Sequence, residues 1–275
     1  MPTSIPAPPL TPPHCKPSRH PPSLPHSRPV ATFRLDIAYD GTRFKGWARQ
    51  EGLRTVQGEV EGALEQLYGA PVPLTVAGRT DAGVHATGQV ASFEAPTDRH
   101  DANTLRRALD SLTAEEVAIT DTSAVPPGFD ARRDATARRY RYRLDTRSVP
   151  SPFERRYAVH WPHALDRPAL DSCAELLPGT HDFTAFTPTE TEHVRFERDV
   201  LEAAWSEERP GLLTFEIEAD AFMRNMVRAL VGTMLEVGGG RRTVESFAAL
   251  LEGRPRPEGG ETAPAHGLFL IAVRY

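Results

Sequence analysis

Residues 33–41 read FRLDIAYDG, in which apolar side chains alternate with mostly polar ones up to an Asp-Gly turn signal. Alternation at period two is typical of a strand with one buried face, so we predict a strand over 33–39. Thr55 then stands as a helix N-cap before apolar residues that share one helical face. These residues are Val56, Val60, Ala63, Leu64 and Leu67. An amphipathic helix is therefore predicted after the strand.

The rest of the chain continues this pattern of elements. The first half adds strands over 74–77 and 89–95 around a glycine-rich turn, a helix over 103–112 and a strand over 116–120. The second half repeats the order approximately, with strands over 138–144, 200–205, 212–217 and 268–273 and helices over 165–176 and 221–237. Element order predicts an α+β protein with two similar halves, 31–130 and 131–275.

Composition limits the class of protein. No run of about 18 apolar residues occurs, and the N-terminus has no apolar stretch of the signal-peptide type, so we expect a soluble, cytoplasmic protein with no membrane association. Residues 1–30 are rich in Pro, Ser and His, which predicts a disordered tail. Cys15 and Cys173 are the only cysteines. They are too few for a disulfide framework or a cysteine-rich zinc site.

The overall charge does not indicate a nucleic-acid partner. The chain has 32 basic and 37 acidic residues, for a net charge of −5. Phosphate contacts are made by particular Lys and Arg side chains, so an RNA-binding protein of this composition needs a local basic patch.

Residues 78–85, GRTDAGVH, carry the strongest signal for chemistry, because Arg, Asp and His lie between two glycines in the turn between two predicted strands. Gly78 and Gly83 allow backbone conformations closed to other residues. Arg79 could keep the Asp81 carboxylate ionised and oriented, and a carboxylate held in this way is a competent nucleophile. The alternative is that Asp81 only caps a turn. His85 fits a structural role better than a catalytic one.

Two further segments supply candidate site residues. On the strand over 138–144, alternation sends Tyr140 and Tyr142 to one face and Arg139, Arg141 and Arg143 to the other, so one face can stack a base and the other can meet phosphates or acids. We expect Tyr142 to pack in the core. On the predicted helix over 221–237, Arg224 and Arg228 lie one turn apart at the border of its apolar face, where Arg228 could reach into a cleft.

The string 78–86 resembles the signature loop of the tRNA pseudouridine synthase A family, and the resemblance extends over almost the whole chain after Thr32. Further ordered matches to the family are Tyr39-Asp40-Gly41-Thr42, Phe44, Gly46-Trp47, Gln50, Thr55-Val56-Gln57, Phe129, Ala131-Arg132, Arg138-Arg139-Tyr140-Arg141-Tyr142, Gly179-Thr180-His181-Asp182-Phe183, Phe186, Met226-Val227-Arg228, Gly232 and Thr262-Ala263-Pro264-Ala265-His266-Gly267-Leu268.

The resemblance implies a pseudouridine synthase fold, with two ferredoxin-like halves whose antiparallel and mixed sheets join across a central cleft. It implies isomerisation of uridine to pseudouridine at positions 38, 39 and 40 in the anticodon arm of tRNA, and a homodimer that embraces the tRNA. By the same resemblance Asp81 is the catalytic aspartate, Tyr140 contacts the target base and Arg228 is the basic partner of Asp81. The reaction needs no redox or phosphoryl chemistry, so we expect no cofactor and no metal.

This sequence departs from the family pattern at three positions. Ala48 replaces a glutamine after Trp47, Asp130 replaces a histidine, and Asn225 stands where the family usually has His or Gln. We expect catalysis to survive these changes.

Two other classes of function remain open from the sequence. A non-catalytic RNA-binding module made of paired α+β units would share the fold and would not need Asp81. A glycoside hydrolase with Asp81 as nucleophile would need a second carboxylate about 5 Å away. Asp40 and Asp182 are candidates for that second acid, but each is explained as a turn residue.

Overall fold

The computed structural model describes residues 30–96, 100–191 and 194–275. Its strands are β1 Val30–Tyr39, β2 Thr75–Val76, β3 His85–Pro96, β4 Val117–Val125, β5 Ala137–Asp145, β6 Val159–His160, β7 Gly179–Asp182, β8 Glu197–Arg209, β9 Leu212–Ala219 and β10 Leu268–Arg274. Its α-helices are α1 Val56–Tyr68, α2 Ala102–Leu112, α3 Arg167–Glu175, α4 Met226–Gly238 and α5 Val244–Leu250. Single 3-10 turns cover Gly41–Arg43, Thr184–Phe186, Arg256–Glu258 and Ala265–Gly267. The predicted α+β class is confirmed.

The strands form one mixed sheet in the order β4-β1-β3-β10-β5-β9-β8-β7, with β2 beside β3 and β6 beside β5. Most pairs are antiparallel, whereas β10 runs parallel to β3. The strands of the first half and those of the second half therefore meet where β10 lies between β3 and β5. The predicted closing strand is the one that joins them. The boundary at residue 130 between two halves stays a prediction.

The core is built by alternation on the strands and by the apolar faces of the helices. On β1 the buried apolar side chains are Phe33, Leu35, Ile37 and Tyr39, the residues that the period-two pattern predicts. Thr55 caps α1 as predicted, since its side chain accepts a hydrogen bond from the backbone N–H of Gly58. In the second half, α4 is buried along almost its whole length.

The N-terminal prediction falls largely outside the described residues. Residues 1–29, which make up nearly all of the predicted tail, are not described, and Val30 begins β1. Cys15 lies in that undescribed part, whereas Cys173 is a buried free thiol. Within the described ranges, no helix combines the length and the apolar content needed to cross a membrane.

Gly232 on α4 provides a test of the packing. A Cβ at this position would lie 1.8 Å from the backbone oxygen of Glu261, which cannot move without displacing the segment before β10. We expect Gly232→Ala to lower the free energy of unfolding by about 3 kcal/mol, as overpacking against backbone does. The measurement is the midpoint of urea denaturation.

Gly62 on α1 is the matched control, because a Cβ there has no neighbour within 4 Å. Gly62→Ala should raise the free energy of unfolding by about 0.5–1 kcal/mol, the usual difference between Gly and Ala in a helix. Equal effects of the two substitutions would contradict the close contact between α4 and the segment before β10.

Candidate active site

The segment 77–84 connects β2 to β3, and several groups fix its backbone. The N–H of Trp47 donates to the backbone oxygen of Thr80 at 3.0 Å. The Gln89 amide donates to the backbone oxygen of Gly78 at 2.7 Å, and the Tyr39 hydroxyl lies 2.7 Å from that of Thr80. A loop held at so many points presents its side chains in a defined geometry.

The two glycines of this loop behave differently. Gly83 has a φ of 78°, in the left-handed region predicted for it. Gly78 is not in that region, so the prediction of a special backbone conformation there is wrong. A Cβ at Gly78 would lie 3.6 Å from the Tyr140 hydroxyl, so the small residue leaves the approach to Tyr140 open.

Asp81 projects towards the start of α4. Its side chain is 32% exposed, and its Oδ2 lies 3.6 Å from the NH1 nitrogen of Arg228. Burial raises the pKa of the Asp81 carboxyl above its usual range, and the charges of Arg228 and Arg224, together with the backbone N–H of Asn225, partly oppose that shift. Among the described residues, the groups that act on the carboxylate lie around the start of α4, whereas the capping alternative requires N–H groups of its own turn.

Arg228 is held on both sides of its guanidinium. Its Nε donates to the backbone oxygen of Ala263 at 2.7 Å, and its NH1 donates to Oδ1 of Asn225 at 3.0 Å. The side chain is only 18% exposed. A buried, doubly anchored guanidinium beside a carboxylate is suited to keep that carboxylate ionised.

The other two predicted site residues, Tyr140 and Arg79, differ from each other in burial. Tyr140 on β5 is 8% exposed, and its ring meets that of Phe222 edge-on at 5.0 Å. Burial, followed by the charges of Tyr39 and Asp81, raises the pKa of the Tyr140 phenol, so it stays protonated. Arg79 is exposed. In the described ranges the cations that act on Asp81 are Arg228 and Arg224 instead. The catalytic role of Arg79 stays a prediction.

The helix predicted over 221–237 begins later than expected. Asn225 has a φ of 61°, which is incompatible with a helix interior, and α4 starts at Met226. Arg224 and Arg228 therefore do not lie one turn apart on a helix. Arg224 belongs to the preceding loop and donates to the backbone oxygen of Glu190, yet its charge still acts on Asp81.

Three arginines of β5, Arg139, Arg141 and Arg143, contact acids. Arg139 and Arg141 both pair with Glu216, Arg139 also pairs with Glu202 and Glu218, and Arg143 pairs with Glu154 and Glu208. The sequence left open whether this arginine face of the strand meets phosphates or acids, and in the described residues it meets acids. Tyr142 is fully buried as predicted, and its hydroxyl donates to the backbone oxygen of Pro264.

His85 has the structural role expected for it. The ring is 1% exposed, Nδ1 accepts from the N–H of Gly41 at 3.1 Å, and Nε2 lies 2.9 Å from the backbone oxygen of Arg156. The ring also stacks on Phe269 of β10 at 4.6 Å. Burial lowers the pKa of the imidazole, while the Asp40 carboxylate, whose Oδ1 lies 3.2 Å from Nδ1, opposes that shift. These contacts of the ring join the first half of the chain to the second.

Arg138 is a site residue that the sequence reasoning missed. Its guanidinium donates to four backbone oxygens, two of which are those of Ala77 and Asp220. The other two belong to Arg132 and Ala135. Ala77 precedes the Asp81 loop and Asp220 precedes the segment that ends at Asn225, so Arg138 ties together the two segments that meet at the site. Period-two alternation indicated only that Arg138 shares a face with Tyr140.

The two acids considered for a hydrolase lie where a strand passes into a turn, Asp40 directly after β1 and Asp182 as the last residue of β7. Oδ1 of Asp40 accepts hydrogen bonds from the N–H and hydroxyl of Thr42, and Oδ1 of Asp182 accepts the same pair from Thr184. Their carboxylates are engaged by the local backbone, which agrees with the prediction that each is a turn residue. This removes the support that the sequence offered for a second catalytic acid.

Comparison with known proteins identifies the family of the chain. A family model described as tRNA pseudouridine synthase matches residues 37–133 and 173–275. Proteins named tRNA pseudouridine synthase A from Frankia casuarinae and Chloroflexus aurantiacus are 46% and 45% identical over 248 and 251 residues, which cover 90% of this chain and 90% and 89% of those proteins. One from Shouchella clausii is 42% identical over 247 residues, or 90% of this chain and 94% of that protein. The chain therefore belongs to the tRNA pseudouridine synthase family.

Proposed function

We propose that this protein isomerises uridine to pseudouridine at positions 38, 39 and 40 of the anticodon arm of tRNA, with Asp81 as the catalytic aspartate. The observation that carries the proposal is the pairing of a partly buried Asp81 with an anchored Arg228, close to the aromatic pair Tyr140 and Phe222. The chain's membership of the tRNA pseudouridine synthase family supports the substrate class.

The reaction breaks the N1–C1′ bond of uridine and joins C5 of the same uracil to C1′. C5 loses its proton and N1 gains one, so nothing is oxidised or reduced. Asp81 either attacks C1′ as a nucleophile or stabilises a glycosyl intermediate while another group removes a sugar proton. Both routes need an ionised carboxylate and a site from which water is excluded, because water would compete with the detached uracil.

In this proposal Arg228 helps to keep the Asp81 carboxylate ionised. Its positive charge lowers the pKa of the Asp81 carboxyl against the effect of burial, which favours the carboxylate form. Arg79 is exposed in the free protein. We assign its contribution to the RNA complex, where its position two residues before Asp81 brings its charge to the sugar and phosphate of the bound nucleotide.

Tyr140 supplies a surface for the base. A uridine within a stem cannot present its sugar to an enzyme, so the target is extruded into the site and held against this ring. Double-helical RNA hides its base edges in a deep groove, which favours recognition of tRNA by shape and backbone.

We expect Tyr140→Phe to slow the single-turnover rate about tenfold while tRNA affinity stays the same, because only a hydrogen bond from the hydroxyl is lost. The ring and its edge contact with Phe222 remain. The measurement is a single-turnover time course with a filter-binding assay of affinity. An unchanged rate would assign Tyr140 a stacking role without its hydroxyl.

The family resemblance also supports a homodimer in which both subunits contact the tRNA, a cytoplasmic location, and activity without cofactor or metal. The net charge of −5 means that the RNA-facing surface must be locally basic. Light scattering of the purified protein tests the dimer directly. A single 30.3 kDa species would contradict it.

The function is tested by incubating the purified protein, without added cofactor or metal, with an unmodified tRNA transcript. Carbodiimide treatment followed by primer extension maps pseudouridine at each position. We expect modification confined to positions 38–40. If the protein binds the transcript but modifies no uridine, the non-catalytic RNA-binding module becomes the better account.

A further inference from the structure

Asn225 has the least favourable backbone conformation among the described residues, as the one residue other than glycine with positive φ. L-residues pay a steric cost in the left-handed region, and only Gly, Asn and Asp visit it readily. Asn225 immediately precedes α4 in the N-cap position, yet its side chain makes no capping hydrogen bond to the helix. Its conformation therefore needs another explanation than helix capping.

The side-chain amide and the backbone N–H of Asn225 both lie beside the predicted catalytic pair, Asp81 and Arg228. Its Oδ1 accepts from NH1 of Arg228 at 3.0 Å. The same NH1 nitrogen lies 3.6 Å from Oδ2 of Asp81, and the backbone N–H of Asn225 is close enough to that carboxyl to lower its pKa. Thus the side chain of one residue binds the guanidinium, and its backbone lies beside the carboxylate.

We infer that Asn225 is a positioning residue for the Asp81–Arg228 pair, with its left-handed backbone aiming an N–H at Asp81 and its amide oxygen fixing the guanidinium of Arg228. The inference rests on the proposed function and extends it to a residue that departs from the usual family pattern. The second anchor of Arg228 is the backbone oxygen of Ala263, which binds Nε, whereas Asn225 binds NH1, the nitrogen that lies nearest to Asp81.

Substitution by glycine separates this role from a structural one. Glycine adopts positive φ without strain, so Asn225→Gly keeps the backbone and the N–H to Asp81 and removes only the contact to Arg228. We expect the single-turnover rate to fall about tenfold, the usual effect of a lost hydrogen bond to a charged group. The affinity for tRNA should not change. Asn225→Ala should show the same loss and, in addition, a Tm lower by about 2–4 °C.

The pH profile adds a second readout. The groups whose charge acts on Asp81 are Arg228 on α4 and Arg224 in the loop before it, with the phenol of Tyr140 on β5 nearby. A guanidinium that is no longer held stabilises the carboxylate less, so the acid limb of the rate should move to higher pH in Asn225→Gly.

The test is a cycle of wild type, Asn225→Gly, Arg228→Gln and the double variant, assayed on an unmodified tRNA transcript. Asn225→Gly should have little further effect once Arg228 is replaced, since its action passes through that residue. A wild-type rate and pH profile in Asn225→Gly, or the same fold-loss in both backgrounds, would overturn the inference. An inactive wild type would instead overturn the proposed function.

Discussion

Asp81→Asn is expected to abolish pseudouridine formation, with a rate loss of at least about 10⁴-fold, while tRNA binding remains. The amide is nearly the size of the carboxylate, so the loop and its contacts persist, but it can neither attack C1′ nor balance positive charge on the sugar. The measurement is single-turnover modification of a tRNA transcript over hours, together with an affinity assay.

The same substitution should not destabilise the protein. The folded-state pKa of Asp81 is raised, so above the unfolded-state pKa ionisation of this group costs folding free energy. A neutral Asn removes that cost, and Tm should equal or exceed that of the wild type. Lost activity with an unchanged or higher Tm therefore cannot be ascribed to unfolding.

Asp171→Asn is the matched control for this experiment. Asp171 lies on α3, is 40% exposed and pairs with Arg167 one turn away. Exposed pairs of this kind contribute about 0.3–0.5 kcal/mol, so stability and activity should both stay close to wild type. Activity in Asp81→Asn comparable to that of this control would show that Asp81 is not the catalytic aspartate.

Arg228→Gln is expected to lower the single-turnover rate about 100-fold at neutral pH. The charge of Arg228 lowers the pKa of Asp81 against the effect of burial. Its removal raises that pKa further, so a larger fraction of the enzyme holds a protonated, inactive Asp81 at any given pH. The acid limb of the rate profile must therefore shift to higher pH, and the loss should shrink as pH rises.

Arg228→Lys is the informative companion, because it keeps the charge and loses the forked contacts to Ala263 and Asn225. We expect a smaller shift of the acid limb than in the Gln variant, with a rate between that variant and wild type. Profiles recorded over about pH 5–9 give both quantities. An acid limb that stays in place in Arg228→Gln would show that Arg228 does not act on the ionisation of Asp81.

The fold was predictable to the extent that local patterns decide it. Period-two alternation located β1 and β5, and Thr55 marked the start of α1. The sequence did not indicate that β10 would lie between β3 and β5, because strand order depends on long-range pairing. It also misplaced the start of α4, since apolar spacing continues through Phe222 and Met223 and conceals the left-handed residue at Asn225.

The site divides in the same way. The resemblance to a family indicated Asp81, Tyr140 and Arg228. In the structure Arg228 lies in the first turn of α4, Asp81 lies beside it in the loop before β3, and Tyr140 lies in the middle of β5. Arg79 was expected to orient Asp81 because the two residues are close in sequence. The cations that act on Asp81 are instead Arg224 and Arg228, more than 140 positions away along the chain. Arg138 was missed because donation to four backbone oxygens leaves no mark in a sequence motif.

The central place of β10 has a consequence for biosynthesis. This strand leaves the ribosome after every other described strand, yet it fills the gap between β3 and β5. Until it arrives, the start of β3 and the facing edge of β5 present backbone groups that lack the partners β10 will supply, and such open edges favour pairing between nascent chains. The growing chain is therefore most exposed to aggregation during the interval before residues 268–274 emerge. Assembly of the site, which spans both sides of the gap, is delayed until the same moment.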